Sequence, residues 1–182
     1  MQIDKEFEEL WEEIVNDNTW EVIPEDKIER IAQLAGSNEV HYLIHELDKL
    51  KDEELTEDSE EASDEYWRRR ISVAKILGKV GIEAEDALIK ALDSKNDRTR
   101  EYAAMALGFM QSKKSFVKIL ELLESTLNIM DKWIYIEALG NLGDQRAVPY
   151  LEKYEKTPES IRNKHVVVRP AIEALEKLNK SK

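Results

Sequence analysis

The sequence contains no cysteine, which excludes a disulfide framework, thiolate zinc sites and cysteine nucleophiles. No apolar run approaches the ~20 residues that a bilayer-spanning helix needs, so a membrane protein is not expected. The opening residues, MQIDKEFEEL, carry acid where a signal peptide needs a basic start and an apolar stretch; a cytoplasmic location is the expectation. Glycine is scarce, six in 182 residues, and nowhere forms the glycine-rich loop that cradles a phosphate. The GxSxG and HExxH patterns are also missing. What remains is 42% apolar and 36% charged, a balance that suits one folded, soluble domain with a real core.

Charge is unevenly placed. The net charge is -12, yet residues 1–66 hold 23 acidic and 5 basic side chains, whereas residues 67–182 hold 16 acidic and 22 basic. Much of the acid lies in Asp52–Tyr66, with nine carboxylates and no base. Self-repulsion and few apolar residues point to a linker or long loop there, a solvated connection or an acidic arm for a basic surface.

A repeat governs the second half. RRRISVAKILGKVG (68–81), RTREYAAMALGFMQ (98–111) and DKWIYIEALGNLG (131–143) align, with Leu-Gly pairs at Leu77-Gly78, Leu107-Gly108 and Leu139-Gly140. Each is followed by a polar turn and a second apolar run, at 86–92, 116–123 and 147–154; a weaker unit lies at 171–178. Ala103, Ala104, Leu107 and Met110 recur at three- and four-residue steps, the mark of one apolar helical stripe. Small alanines permit close helix approach, and Gly108 or Gly140 relieves crowding where each pair turns. Asp97 and Asp144 sit where an N-cap would satisfy free amides. No alternating strand pattern competes, so the expected fold is all-α. One helical hairpin cannot bury its apolar face alone, but stacked hairpins can, which is the logic of a solenoid.

The pattern Asp97, Arg100, Ala103, Ala104, Ala106, Leu107, Gly108 resembles HEAT-like repeats of the phycobilisome-lyase type, as does Leu139-Gly140 through Leu142-Gly143-Asp144, Ala147-Val148-Pro149 and Leu151. The resemblance runs from about Trp67 to Leu178 and extends weakly to 28–47. It departs at Ile129, which replaces the cap Asp of the third unit, and at Val168, which replaces the Arg of the fourth. The resemblance implies an α-solenoid of HEAT-like hairpins, a right-handed superhelix of about four to five repeats. The expected organisation is a capping helix and degenerate repeat over 1–50, an acidic linker over 51–66 and the repeat solenoid over 67–182. In the capping segment, Phe7, Leu10, Trp11 and Ile14 share one helical face that would pack on the first repeat.

Chemistry is sparse. His41, His45 and Asp48 fall on one flank of a predicted helix beside Val40, Leu43, Ile44 and Leu47, and two histidines with a carboxylate can ligate a divalent metal. The plainer account is a set of surface side chains, and no metal or other cofactor is assigned. The His45–Glu46 pair is similar to those of deoxyhypusine hydroxylase, a HEAT-like di-iron enzyme, but that family needs several such pairs in successive repeats. Here there is one, and His165 is followed by Val166. No catalytic residue is therefore assigned.

Arg70, Arg100 and Lys132 take equivalent repeat positions, with Arg68, Arg69, Arg98, Lys113, Lys114 and Lys118 around them. Such a ladder either bonds acidic caps or carbonyls of the adjacent repeat or forms an anion-binding strip. HEAT-like alkylpurine DNA glycosylases hold DNA on such a surface. The modest basic excess over 67–182 and the acidic segment before it weigh against nucleic acid, and a nucleic-acid-binding HEAT-like protein stays as an alternative to a protein-binding one. Trp133 aligns with Glu101, at the flank of its helix, and Tyr66 and Trp67 stand where the acidic run ends. Large aromatics outside a core mark interaction surfaces; the plainer account packs Trp133 against the neighbouring unit.

The expected function is a non-catalytic protein-interaction module that presents successive second helices (about 84–93, 113–124 and 145–154) to another protein. A specific form is an inhibitor or immunity-type protein whose acidic third neutralises a basic partner. The expected contacts are Trp133, Trp67, Tyr66, Arg70, Arg100, Lys132, Lys114 and Lys118. A chromophore-lyase-like or metal-dependent HEAT-repeat enzyme is the alternative from another class. Partner identity and oligomeric state are not legible.

Overall fold

The computed structural model describes residues 3–16, 23–49, 60–127, 129, 131–157 and 167–180, with the side chains of residues 16, 49 and 60–68 outside the described set. Ten α-helices and no strand lie among the described residues. They are α1 (Lys5–Asn16), α2 (Glu25–Leu34), α3 (Ser37–Lys49), α4 (Glu60–Val80), α5 (Ile82–Ala91), α6 (Asp97–Phe109), α7 (Phe116–Ser125), α8 (Lys132–Asn141), α9 (Val148–Glu155) and α10 (Arg169–Lys180). The fold is all-α, an α-solenoid of helical hairpins. The chain divides into two compact units, Met1–Tyr102 and Ala103–Lys182, with the boundary inside α6.

In the first unit α2 packs on α4 and α3 on α5, like helix against like, while α4 and α5 close their own hairpin. α1 packs on α2 and turns Phe7, Trp11 and Ile14 inward, and Tyr42 of α3 meets the first two rings edge-on at 6.3 and 6.4 Å. The Asp4 carboxylate accepts from the backbone N–H of Glu6 and Phe7 at 2.9 and 3.1 Å, capping α1. Buried Glu39 accepts from Gly36 N at 3.0 Å and from Asp4 N at 2.9 Å, closing the start of α3 and tying α1 to it. α4 begins at Glu60, so residues 60–66, expected in the acidic linker, are its first turns. Acidic residues suit a helix start, where the backbone dipole favours negative charge, so an acid-rich run need not end at the first helical residue. The rest of that run, 51–59, lies outside the described residues.

In the second unit α8 packs on α7 and α10, and α9 packs on α10. The glycines of the Leu-Gly pairs act there, but not at the turns as expected. A Cβ on Gly108 would lie 3.0 Å from Ala138 Cα, and one on Gly140 would lie 2.7 Å from Ala174 Cα. Each glycine is where the next first helix crosses, α8 over Gly108 and α10 over Gly140. Covered on several sides, α8 buries Ile134, Tyr135, Ile136, Ala138, Leu139 and Gly140, which is more than the single stripe the spacing suggests.

The repeated helices also end alike. Gly81, Gln111 and Gly143 occupy the same register after α4, α6 and α8, and all three have positive φ, at 76°, 58° and 66°. After α6 the Ser112 N–H bonds Leu107 O and the Gln111 N–H bonds Gly108 O, both at 3.0 Å, a Schellman closure. Glycine adopts this backbone freely; Gln111 does so at a cost. At the start of α6 the cap differs from expectation. Asn96 Oδ1 accepts from Arg98 N at 2.9 Å, while the Asp97 carboxylate, already inside the first turn, pairs with Arg100. Asp144 does cap, accepting from Arg146 N at 3.0 Å before α9.

Candidate functional site

The basic ladder is spent inside the fold. Arg70 is 5% exposed, with its guanidinium 6.0 Å from the Tyr102 ring. Arg100 donates to Ser94 O at 2.7 Å, just past α5, and pairs with Asp97. Lys132 donates to Leu123 O at 2.7 Å in the last turn of α7 and lies 5.7 Å from the Tyr154 ring. Both cations thus satisfy a carbonyl at the C-terminal end of the preceding helix, where backbone acceptors lack intrahelical partners. Burial holds the Lys132 ammonium below its usual pKa despite the nearby Glu124 carboxylate. Lys114 is exposed and Lys118 half-buried, and each has an interaction of its own. The bonds of Arg100 and Lys132 are those of the structural account of the ladder. The side chains of Tyr66 and Trp67 lie outside the described residues.

The histidine flank is likewise occupied. The His41 ring Nδ1 lies 2.6 Å from Ser37 O, and Asp48 accepts from Thr99 Oγ1 at 2.6 Å and Ser94 Oγ at 3.4 Å. Asp48 therefore ties α3 to the start of α6, and no cluster of three or more metal-ligating side chains occurs among the described residues.

Two clefts remain. The larger, about 410 Å³, lies beside α2, α4 and α5, and its lysine, Lys79, is already paired to Glu25 at 2.6 Å and Glu29 at 3.3 Å. The second, about 300 Å³, contains the aromatic singled out from the sequence. Trp133 and Glu137 of α8 form one wall, and Arg169, Pro170, Glu173, Ala174 and Lys177 of α10 form the other. Trp133 is half-buried. It packs beside the neighbouring helix and borders an open cleft. The close Gly140–Ala174 crossing brings the two walls together. Tyr102 and Tyr135, by contrast, are buried at 3% and 2% exposure, and Tyr150 is half-buried.

Residues 59–129 match the HEAT repeats family, and residues 136–156 match the PBS lyase HEAT-like repeat. The chain is a HEAT-like repeat protein. No curated protein matches it. In this HEAT-like protein the matched stretches contain Gly81, Gln111 and Gly143, the shared helix endings. Of the cleft residues only Glu137 falls within a match.

Sequence reasoning reached Trp133 and missed the rest of the cleft. Glu137 was within reach, because a residue four positions after Trp133 shares its helical face. Arg169, Pro170, Glu173 and Lys177 were not, because only the packing of α10 on α8 brings them there.

Proposed function

We propose that this HEAT-like repeat protein is a docking scaffold for another protein and that the α8–α10 cleft is a point of contact. The reading is carried by one observation: a half-buried tryptophan bordering an open cleft on a rigid pair of helices. Tryptophan buries a large area at low entropic cost, and such side chains dominate binding energies at interfaces. Stacked helices present it without paying for ordering on contact. HEAT repeats are generally non-catalytic, and their use as interaction scaffolds supports this class.

The finer form is an inhibitor whose acidic N-terminal third meets a basic partner; the support is the concentration of 23 carboxylates in residues 1–66. The test is affinity capture with the full chain and with Trp133→Leu, each protein quantified by mass spectrometry. The proposal expects a protein that is enriched by the parent and lost with the variant. Equal recovery by both would remove the cleft from the contact. Because residues 136–156 match a lyase-type repeat, visible absorbance of the purified protein is the check on the chromophore class.

A further inference from the structure

We infer that the α8–α10 cleft takes a cationic side chain, arginine or lysine, presented by the partner; this rests on the docking reading and names what is recognised. Trp133 and Glu137 stand one turn apart on α8 and border the same cleft. Among the described residues Glu137 makes no hydrogen bond and no ion pair, whereas the other charges at the cleft are engaged. Arg169 Nε donates to Glu173 Oε1 at 2.8 Å, and Lys177 Nζ donates to Asn141 Oδ1 at 2.8 Å. The carboxylate at the cleft that has no partner among the described residues therefore stands beside an indole.

An indole and a carboxylate together form a cation site. The ring quadrupole attracts a guanidinium or ammonium within about 6 Å, and the carboxylate supplies a charge-assisted hydrogen bond. An anion would meet Glu137, Glu173 and the ring, and both bases already have acceptors. Pro170 and Ala174 offer apolar surface to the methylene stem of a long basic residue. A volume of about 300 Å³ lies at the bottom of the range for small-molecule sites, which suits one side chain more than a whole cofactor. Between the two cations arginine is favoured, because a planar guanidinium stacks on an indole while its edge bonds a carboxylate.

The test is an NMR titration of the full chain that follows the Trp133 indole N–H, identified by its loss in Trp133→Leu. The probes are acetyl-Gly-Arg-Gly-amide, its lysine counterpart and its citrulline counterpart, which has arginine's shape without its charge. The arginine peptide is expected to shift that resonance saturably, and citrulline to bind at least ~10-fold more weakly, the loss of about one favourable charge contact. Glu137→Gln is expected to weaken arginine binding by a similar factor while its thermal unfolding matches the parent's, since the side chain has no partner to lose. Tighter binding of lysine supports the cation site and assigns it to an ammonium. Equal shifts from citrulline, an unaltered Glu137→Gln, or an unmoved indole would overturn the inference. If Trp133→Leu abolishes partner capture while all three peptides leave the indole unmoved, the docking reading stands and this one falls.

Discussion

Replacing Gly140 by alanine tests whether α10 packs on α8 through a backbone-close crossing. The new Cβ would fall on the Ala174 Cβ and lie 2.7 Å from the Ala174 Cα, and neither atom belongs to a flexible side-chain end. Contact between carbons is favourable near 3.5–4.0 Å, so α10 must move outward by about 1 Å or more. That movement loosens Ala171, Ala174 and Leu178, which α10 buries. Overpacking of this kind costs about 1–3 kcal/mol, and a backbone obstacle puts it at the upper end. Alanine in a helix interior returns about 1 kcal/mol through propensity. The expected net loss is about 2 kcal/mol, or roughly 4–8 °C in thermal midpoint for a chain of this length. Thermal and urea unfolding by circular dichroism measure it. Ala174→Gly on top of Gly140→Ala should recover much of the loss, although the second change alone costs about 1 kcal/mol. If Gly140→Ala is as stable as the parent or more so, propensity has won and the close crossing is wrong.

Three further outcomes follow from the same geometry. Gln111→Gly should stabilise by about 0.5 kcal/mol, because relief of left-handed strain (~1–2 kcal/mol) exceeds the added freedom of the unfolded chain (~0.4–1 kcal/mol); urea midpoints that fall would refute it. Trp11→Ala should cost about 3–5 kcal/mol, since the ring is wholly buried between Tyr42 and the Arg69 guanidinium; a loss under ~1 kcal/mol would mean that α1 is not docked. Asp144 is held below its usual carboxylate pKa, first by its side-chain hydrogen bond with Arg146, and below that usual value it loses stabilisation as pH falls through its folded pKa. Asp144→Asn keeps the cap but not the charge, so parent and variant should differ by a constant amount above about pH 5 and converge below about pH 4. A gap unchanged down to pH 3 would contradict that assignment.

Local chemistry made the helices legible, and its limits explain what was missed. Leu77-Gly78, Leu107-Gly108 and Leu139-Gly140 revealed the repeat because three copies of one spacing outweigh any single motif. Their glycines were nevertheless misplaced to the turns, since a sequence shows that a residue is small but not which helix needs the space. Asn96, not Asp97, caps α6: both residue types suit the role, and helix boundaries shift by one residue without changing the pattern. Arg100 and Lys132 read equally well as surface and as structure; only the position of a carbonyl from the preceding helix decides. Trp133 stood out because an aromatic replaces Glu101 in the register, and Glu101 is buried against Arg98 at 2.8 Å. The partners of Trp133 on α10 were hidden because the fourth repeat is the least regular.

The central claim is that this HEAT-like scaffold meets another protein at Trp133. A photoreactive benzoylphenylalanine placed at position 173, on the cleft wall that faces Trp133, with the same group at exposed Glu8 of α1 as the comparison, tests it in the cell of origin. The account predicts a discrete cross-linked protein from position 173 that position 8 does not yield, and its disappearance when Trp133→Leu is added. No cross-link from position 173, the same products from both positions, or a cross-link that survives Trp133→Leu would contradict it.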